Sequence, residues 1–178
     1  MGIYDRGRHV PVFVPEAALR RIYSEQKVIL VKDSSADPAR RDLALSVRAR
    51  RTGLRLLSGD EFHCVGYLQA GYDGLLLGGG VFNAYMAGRI IGAVAAGDLA
   101  QAERIQKRMN RIMWAVYGGR KIRCWLAGEK LLLVKMGVFR TRNCLLEFPL
   151  TKRCIRAIDR VLLKDADVLT PWKVRSDG

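Results

Sequence analysis

The feature that most constrains this chain is the run Lys27-Val28-Ile29-Leu30-Val31-Lys32 and its place between two helical patterns. Four consecutive apolar residues bounded by charge lack the alternation of a half-buried strand. They fit a strand covered on both faces in a parallel arrangement. Downstream, Asp37 supplies an N-cap and Pro38 a first-turn proline. Leu43, Ala44 and Val47 then recur at helical spacing as far as Gly53. Residues 54–57 form the next short strand, residues 61–70 a helix closed by Gly71, and residues 74–77 a further strand that ends in Gly78-Gly79-Gly80. Upstream, Ile3 and Tyr4 mark the exit of a strand, and a helix opening at Pro15 runs through Tyr23. Strand and helix alternate throughout, which predicts βαβ units and a parallel sheet.

After Val81 the pattern is helical only. Asp98 caps a segment in which Leu99, Ala102, Ile105, Met109, Ile112, Met113 and Val116 make one apolar stripe, ended by Gly118-Gly119. Helices follow near residues 125–136 and 151–163, and residues 170–178 form a polar, fraying tail. The chain is thus expected to divide at about residue 82, with residues 1–82 carrying the strands and residues 83–178 the helices of one structural unit.

Charge and cysteine usage limit the function. The 31 Lys and Arg against 17 Asp and Glu give a net +14, but the basic residues lie along solvated helix faces, as with Arg40, Arg41, Arg48, Arg50 and Arg51. With no compact basic run interleaved with aromatics, nucleic acid is not an expected partner. Cys64, Cys124, Cys144 and Cys154 are far apart and the chain has two histidines, so neither a zinc site nor a disulfide framework is expected. The start has no apolar leader, and the longest apolar stretch is interrupted by Asn83 and Arg89. A cytoplasmic protein without a membrane span is expected. Gly78 to Gly80 match neither phosphate-binding pattern, and Gly88 with Gly92 reads as close helix packing.

In βα architectures the working groups gather where strands end. Three ends are readable: Lys32-Asp33-Ser34-Ser35, Ser58-Gly59-Asp60-Glu61 and Leu77-Gly78-Gly79-Gly80. An amine partly desolvated at the end of the most apolar strand is a candidate nucleophile toward a carbonyl carbon. From the residues alone the same position better suits a lysine that extends its charge to water, and both readings stay open.

The stretches Val31-Lys32-Asp33-Ser34-Ser35, Leu57-Ser58-Gly59-Asp60-Glu61 and Ala70-Gly71-Tyr72-Asp73-Gly74 resemble, in order and spacing, the second half of the dihydrodipicolinate synthase and N-acetylneuraminate lyase family, from about residue 3 to about residue 163. The resemblance implies an α/β fold, a partial TIM (β/α)8 barrel of about strands 5 to 8 with a C-terminal helical extension. It implies an imine-forming class I aldolase type of chemistry on pyruvate or a 2-keto (sugar) acid: aldol cleavage, condensation or dehydration. It places Lys32 at the Schiff-base lysine and Tyr4 at the proton-relaying tyrosine. Here Tyr4-Asp5-Arg6-Gly7 stands in place of a Tyr-Asn-Val-Pro-like stretch, which leans toward sugar-acid handling. Ser34, Gly59, Asp60 and Glu61 match positions that contact the substrate's distal groups. Ser58 or Asp60 ahead of Glu61 also reads as a helix-capping signal. Leu76, Leu77 and Gly78 match the strand whose backbone lies against the keto acid. Arg8 and His9 fall about one residue from an arginine of some relatives and are assigned no role. No cofactor and no metal is implied.

A barrel of this kind needs about 250 residues. The family's first four strands and a Gly-Thr-Thr-Gly-Glu-like loop for the pyruvate carboxylate have no counterpart here. A truncated lyase or synthase is expected, working as a homo-oligomer or with a complementing N-terminal half. The alternative is a non-catalytic half-barrel remnant or a basic interaction module. Exposed strand edges favour self-association in either case.

Overall fold

The computed structural model describes residues 1–171, and residues 172–178, most of the expected tail, lie outside the described residues. By its internal contacts the chain divides into two compact units, one of residues 1–80 and 90–103, the other of residues 81–89 and 104–178.

The first unit is built on a four-stranded parallel sheet in the order β1 (Gly2–Asp5), β2 (Leu30–Asp33), β3 (Arg55–Ser58), β4 (Gly74–Leu75). Helices α1 (Glu16–Ser24), α2 (Pro38–Arg50) and α3 (Cys64–Ala70) connect consecutive strands. The sheet therefore has the sequential βα order read from the alternation of patterns. One face of each strand is buried. Asp5, Val31, Asp33, Leu56 and Ser58 lie at 0–6% exposure, and the core adds Leu19 and Tyr23 of α1, Leu43, Ala44 and Val47 of α2, and Tyr67 and Tyr72. Tyr4, Lys32 and Leu57 share a register row on the opposite face, where Tyr4 is 55% exposed. The continuous apolar run at residues 28–31 predicted burial on both faces of its strand. In the structure β2 is buried on one face, against residues of α1 and α2, and half-buried on the other.

Local chemistry sets the boundaries. Asp37 caps α2 by accepting from Ala39 N at 2.9 Å, with Pro38 in the first turn. Pro15 stands at the N-cap of α1, one position outside the place expected of it. The strand expected at residues 27–32 begins at Leu30, since Val28 N is bonded to Glu25 O in the turn that closes α1. The helix expected from residue 61 starts at Cys64, because Ser58 and Asp60 side chains hold the preceding residues in turns. Gly71 ends α3 with φ 105°, a left-handed position suited to glycine.

Helices α4 (Gly80–Ala95) and α5 (Leu99–Val116) contribute to both units. In the second, α5 is joined by α6 (Trp125–Lys135), α7 (Lys152–Lys164) and α8 (Ala166–Leu169). The α5 stripe is buried from Ala102 to Val116, with Leu99 at 40% exposure outside it. Asp98 caps Gln101 N, and Thr151 caps α7 at Cys154 N. Gly128 of α6 lies against the Val116 carbonyl, a closeness that any Cβ would prevent. Asp165, 1% exposed, receives Arg108 and Arg111 of α5. Among the described residues, no helix is long and apolar enough to cross a membrane.

Candidate active site

Parity along each strand decides what its end can do. Tyr4 and Asp5 point to opposite faces, as do Lys32 and Asp33, and the parallel register aligns Tyr4 with Lys32 and Asp5 with Asp33. One row is thus turned to the half-exposed face and the other into the core.

On the half-exposed face, the Lys32 amine stands 4.3 Å from the centre of the Tyr4 ring. Ser34 and Lys32 both lie close enough to the Tyr4 phenol to act on it electrostatically. Burial raises the phenol pKa, but the neighbouring Ser34 hydroxyl and the charges of Lys32 and Arg6 together hold it below the ordinary tyrosine value. Gly59 closes the group from β3: a Cβ there would run into the Ser34 hydroxyl and stand 2.9 Å from Lys32 Cε. Four of the residues singled out in the sequence, Tyr4, Lys32, Ser34 and Gly59, therefore meet at the carboxyl ends of three adjacent strands. The ladder continues one residue past each end, with Ser34 N on Asp5 O at 2.8 Å, Gly59 N on Asp33 O at 2.6 Å and Leu76 N on Ser58 O at 2.8 Å. This fixes the loop starts that carry Ser34 and Gly59.

The remaining candidates are arranged differently. Asp60 accepts from Phe62 N at 3.2 Å and faces the His63 ring at 2.9 Å. Glu61 is buried and accepts from Gly79 N at 2.6 Å, tying the turn after β3 to the glycines before α4. Both carboxylates are thus engaged in turn and loop closure, and the helix capping that Ser58 or Asp60 could have signalled is not made, since the N-cap of α3 is His63 without a side-chain bond. Leu76, Leu77 and Gly78 follow β4, Leu76 with its backbone on β3 and Gly78 beside Glu61. The Arg8 guanidinium stacks on Phe13, 4.7 Å from the ring centre.

Sequence reasoning did not identify the buried polar row behind the site. Asp5 accepts from Arg40 at 2.6 Å, Tyr23 at 2.9 Å and Gly7 N at 2.8 Å. Asp33 accepts from Tyr72 at 2.8 Å and from the Ser35 N–H and hydroxyl at 2.8 and 2.7 Å. Burial first, and the neighbouring aspartates second, push the Tyr23 and Tyr72 phenols far above their ordinary value, so both remain neutral donors. Each buried carboxylate thereby fixes a strand end whose preceding residue, Tyr4 or Lys32, lies on the other face. The signal was present in the pairs Tyr4-Asp5 and Lys32-Asp33, since strand parity turns each aspartate inward if its neighbour faces out.

Parallel strands joined by helices, with polar side chains collected at the strand ends, define an α/β domain of the TIM-barrel type. The chain belongs to the Dihydrodipicolinate synthetase family, whose profile matches residues 3–152. Among solved structures, it is similar to a monomeric dihydrodipicolinate synthase variant (19% identity, TM-score 0.77, 94% of this chain and 55% of that one). It is also similar to dihydrodipicolinate synthase from Bacteroides thetaiotaomicron (21%, 0.77, 91% and 55%) and to N-acetylneuraminate lyase from Fusobacterium nucleatum (17%, 0.74, 92% and 54%). The chain spans about 55% of the length of these structures. No curated protein sequence matches it.

Proposed function

We propose that this chain carries the Schiff-base half of a lyase or synthase acting on pyruvate or a related 2-keto acid, with Lys32 as the amine and Tyr4 as the proton relay. The observation that carries the reading is the approach of the Lys32 amine to the Tyr4 ring, 4.3 Å from its centre, at the ends of adjacent strands, with Ser34 beside the same phenol. In this reading the four strands are the fifth to eighth of a (β/α)8 barrel. The free amine adds to the keto carbon and water leaves, giving a protonated imine that withdraws electrons from the adjacent carbon. Tyr4, beside Lys32 and Ser34, transfers protons to and from the departing oxygen and the substrate. The half-exposed face of the sheet works against a complementing set of strands, from another chain or a second copy.

Loss of a methyl proton from the imine gives an enamine, so the reading is tested by NMR of pyruvate in D2O. The protein is expected to accelerate deuterium exchange at the methyl group, Lys32→Ala to abolish the acceleration and Tyr4→Phe to slow it. Equal exchange with the wild type and Lys32→Ala would remove Lys32 from the chemistry.

A further inference from the structure

The second unit holds a cavity of about 590 Å³ with five cations on its walls: Arg120, Lys121 and Arg123 from the α5–α6 loop, and Arg153 and Arg160 from α7. No carboxylate lines it, and among the described residues none of the five is in an ion pair. Five like charges around one concavity repel one another, a cost that a bound anion relieves.

The backbone of the loop that carries the first three is held in a defined conformation. Gly118 and Gly119 adopt φ of 78° and 101°, and a Cβ on Gly118 would stand 2.5 Å from Cys124 Sγ. Gly119 N bonds to Trp114 O, Ile122 N to Gly119 O and Cys124 N to Tyr117 O at 2.7–2.9 Å. On α7, Arg153, Ala157 and Arg160 follow a spacing of four and three residues, so two cations and a small residue face the cavity. Thr151, the cap of α7, is also in the lining, which sets the positive end of a 13-residue helix at the same site. These groups are about thirty positions apart in the sequence, which is why the charge looked evenly spread.

We infer that this cavity binds a small phosphorylated anion, of the diphosphate class, through Arg120, Lys121, Arg123, Arg153 and Arg160. A volume of this order fits a small ligand. Nucleic acid is the less suitable occupant, because the cations converge on a concavity and the Trp114 ring, a potential stacking platform for a base, is occupied by the Arg120 guanidinium at 4.2 Å.

The test is calorimetric titration of the full chain with inorganic pyrophosphate at fixed ionic strength. One saturable site is expected. Arg153→Ala/Arg160→Ala should weaken it by about tenfold or more, as expected for losing charge-assisted hydrogen bonds. Lys107→Ala/Arg156→Ala removes the same two charges from exposed positions outside the cavity and should leave affinity within about twofold. Circular dichroism checks that both variants are folded. Equal weakening by the two pairs would show attraction to the overall charge and overturn the proposal, as would the absence of saturable binding. Tighter binding of a single-stranded oligonucleotide than of pyrophosphate, with the same dependence on Arg153 and Arg160, would reassign the site to nucleic acid.

Discussion

Replacing Arg40 with methionine tests whether the buried row holds the strand ends in place. The Arg40 and Asp5 side chains are 7% and 4% exposed and meet at 2.6 Å, and Arg40 also donates to Val14 O at 2.7 Å. Methionine retains the bulk and deletes the charge, leaving the buried Asp5 carboxyl group with Gly7 N and Tyr23 as its remaining donors. Breaking one partner of a buried pair costs about 3–5 kcal/mol. With two donors still in place, the low end, about 3 kcal/mol, is expected. That is a large share of the roughly 5–15 kcal/mol that holds a typical domain folded. Urea unfolding followed by circular dichroism measures the loss. Adding Asp5→Asn removes the orphaned carboxyl group, so the double variant should be more stable than the sum of the single losses by at least about 1 kcal/mol. A loss below about 1 kcal/mol for Arg40→Met, or strictly additive losses, would refute the reasoning.

Gly59→Ala places a methyl against the Ser34 hydroxyl and Lys32 Cε. It should slow imine formation with pyruvate severalfold in a trapping time course while costing only about 1–3 kcal/mol in unfolding, and an unchanged rate would show that Gly59 does not confine the amine. Asp73 is partly buried, which raises its pKa, but the Leu56 N–H and the Arg48 and Arg55 guanidiniums outweigh this and hold it below 3.8. A depressed folded value means that its stabilisation is complete above about pH 4 and is lost as the pH falls through that folded value. Asp73→Asn should accordingly flatten the acid limb of the stability profile. Burial, with Cys124 next to it, pushes the Cys154 thiol up to about 12. Brief maleimide treatment at pH 8 followed by peptide mass spectrometry should modify the half-buried Cys144 first and Cys154 far more slowly, and comparable rates at the two would contradict the assignment.

The sheet was legible because its strands are short apolar runs separated by helices with clear caps. Asp37-Pro38 and Gly71 each mark a boundary that the structure keeps. Where strands and helices start one to three residues later than expected, the cause lies in side chains whose partners are distant or in tight turns. Glu61 is the clearest case, since its partner Gly79 is eighteen positions away. The exposure of Tyr4 and the half-burial of β2 depend on what covers the sheet, which an apolar run cannot report. Among the site residues, Lys32 and Tyr4 were found through the family resemblance, because the strand context of Lys32 alone better fits a solvated lysine and that of Tyr4 also fits an aromatic packed near the chain end. Asp5, Asp33 and the tyrosines behind them escaped notice, because a buried carboxylate and a solvated one look the same in sequence. The basic cavity was missed because Arg120 and Arg153 come together only in three dimensions.

The central claim concerns one of the chain's nine lysines. Incubation with pyruvate, reduction with borohydride and peptide mass spectrometry will locate any stable adduct. The account predicts one pyruvate-derived adduct on the peptide that contains Lys32, absent from Lys32→Ala. An unmodified Lys32 in a folded sample, or adducts spread evenly over the other lysines, would contradict it.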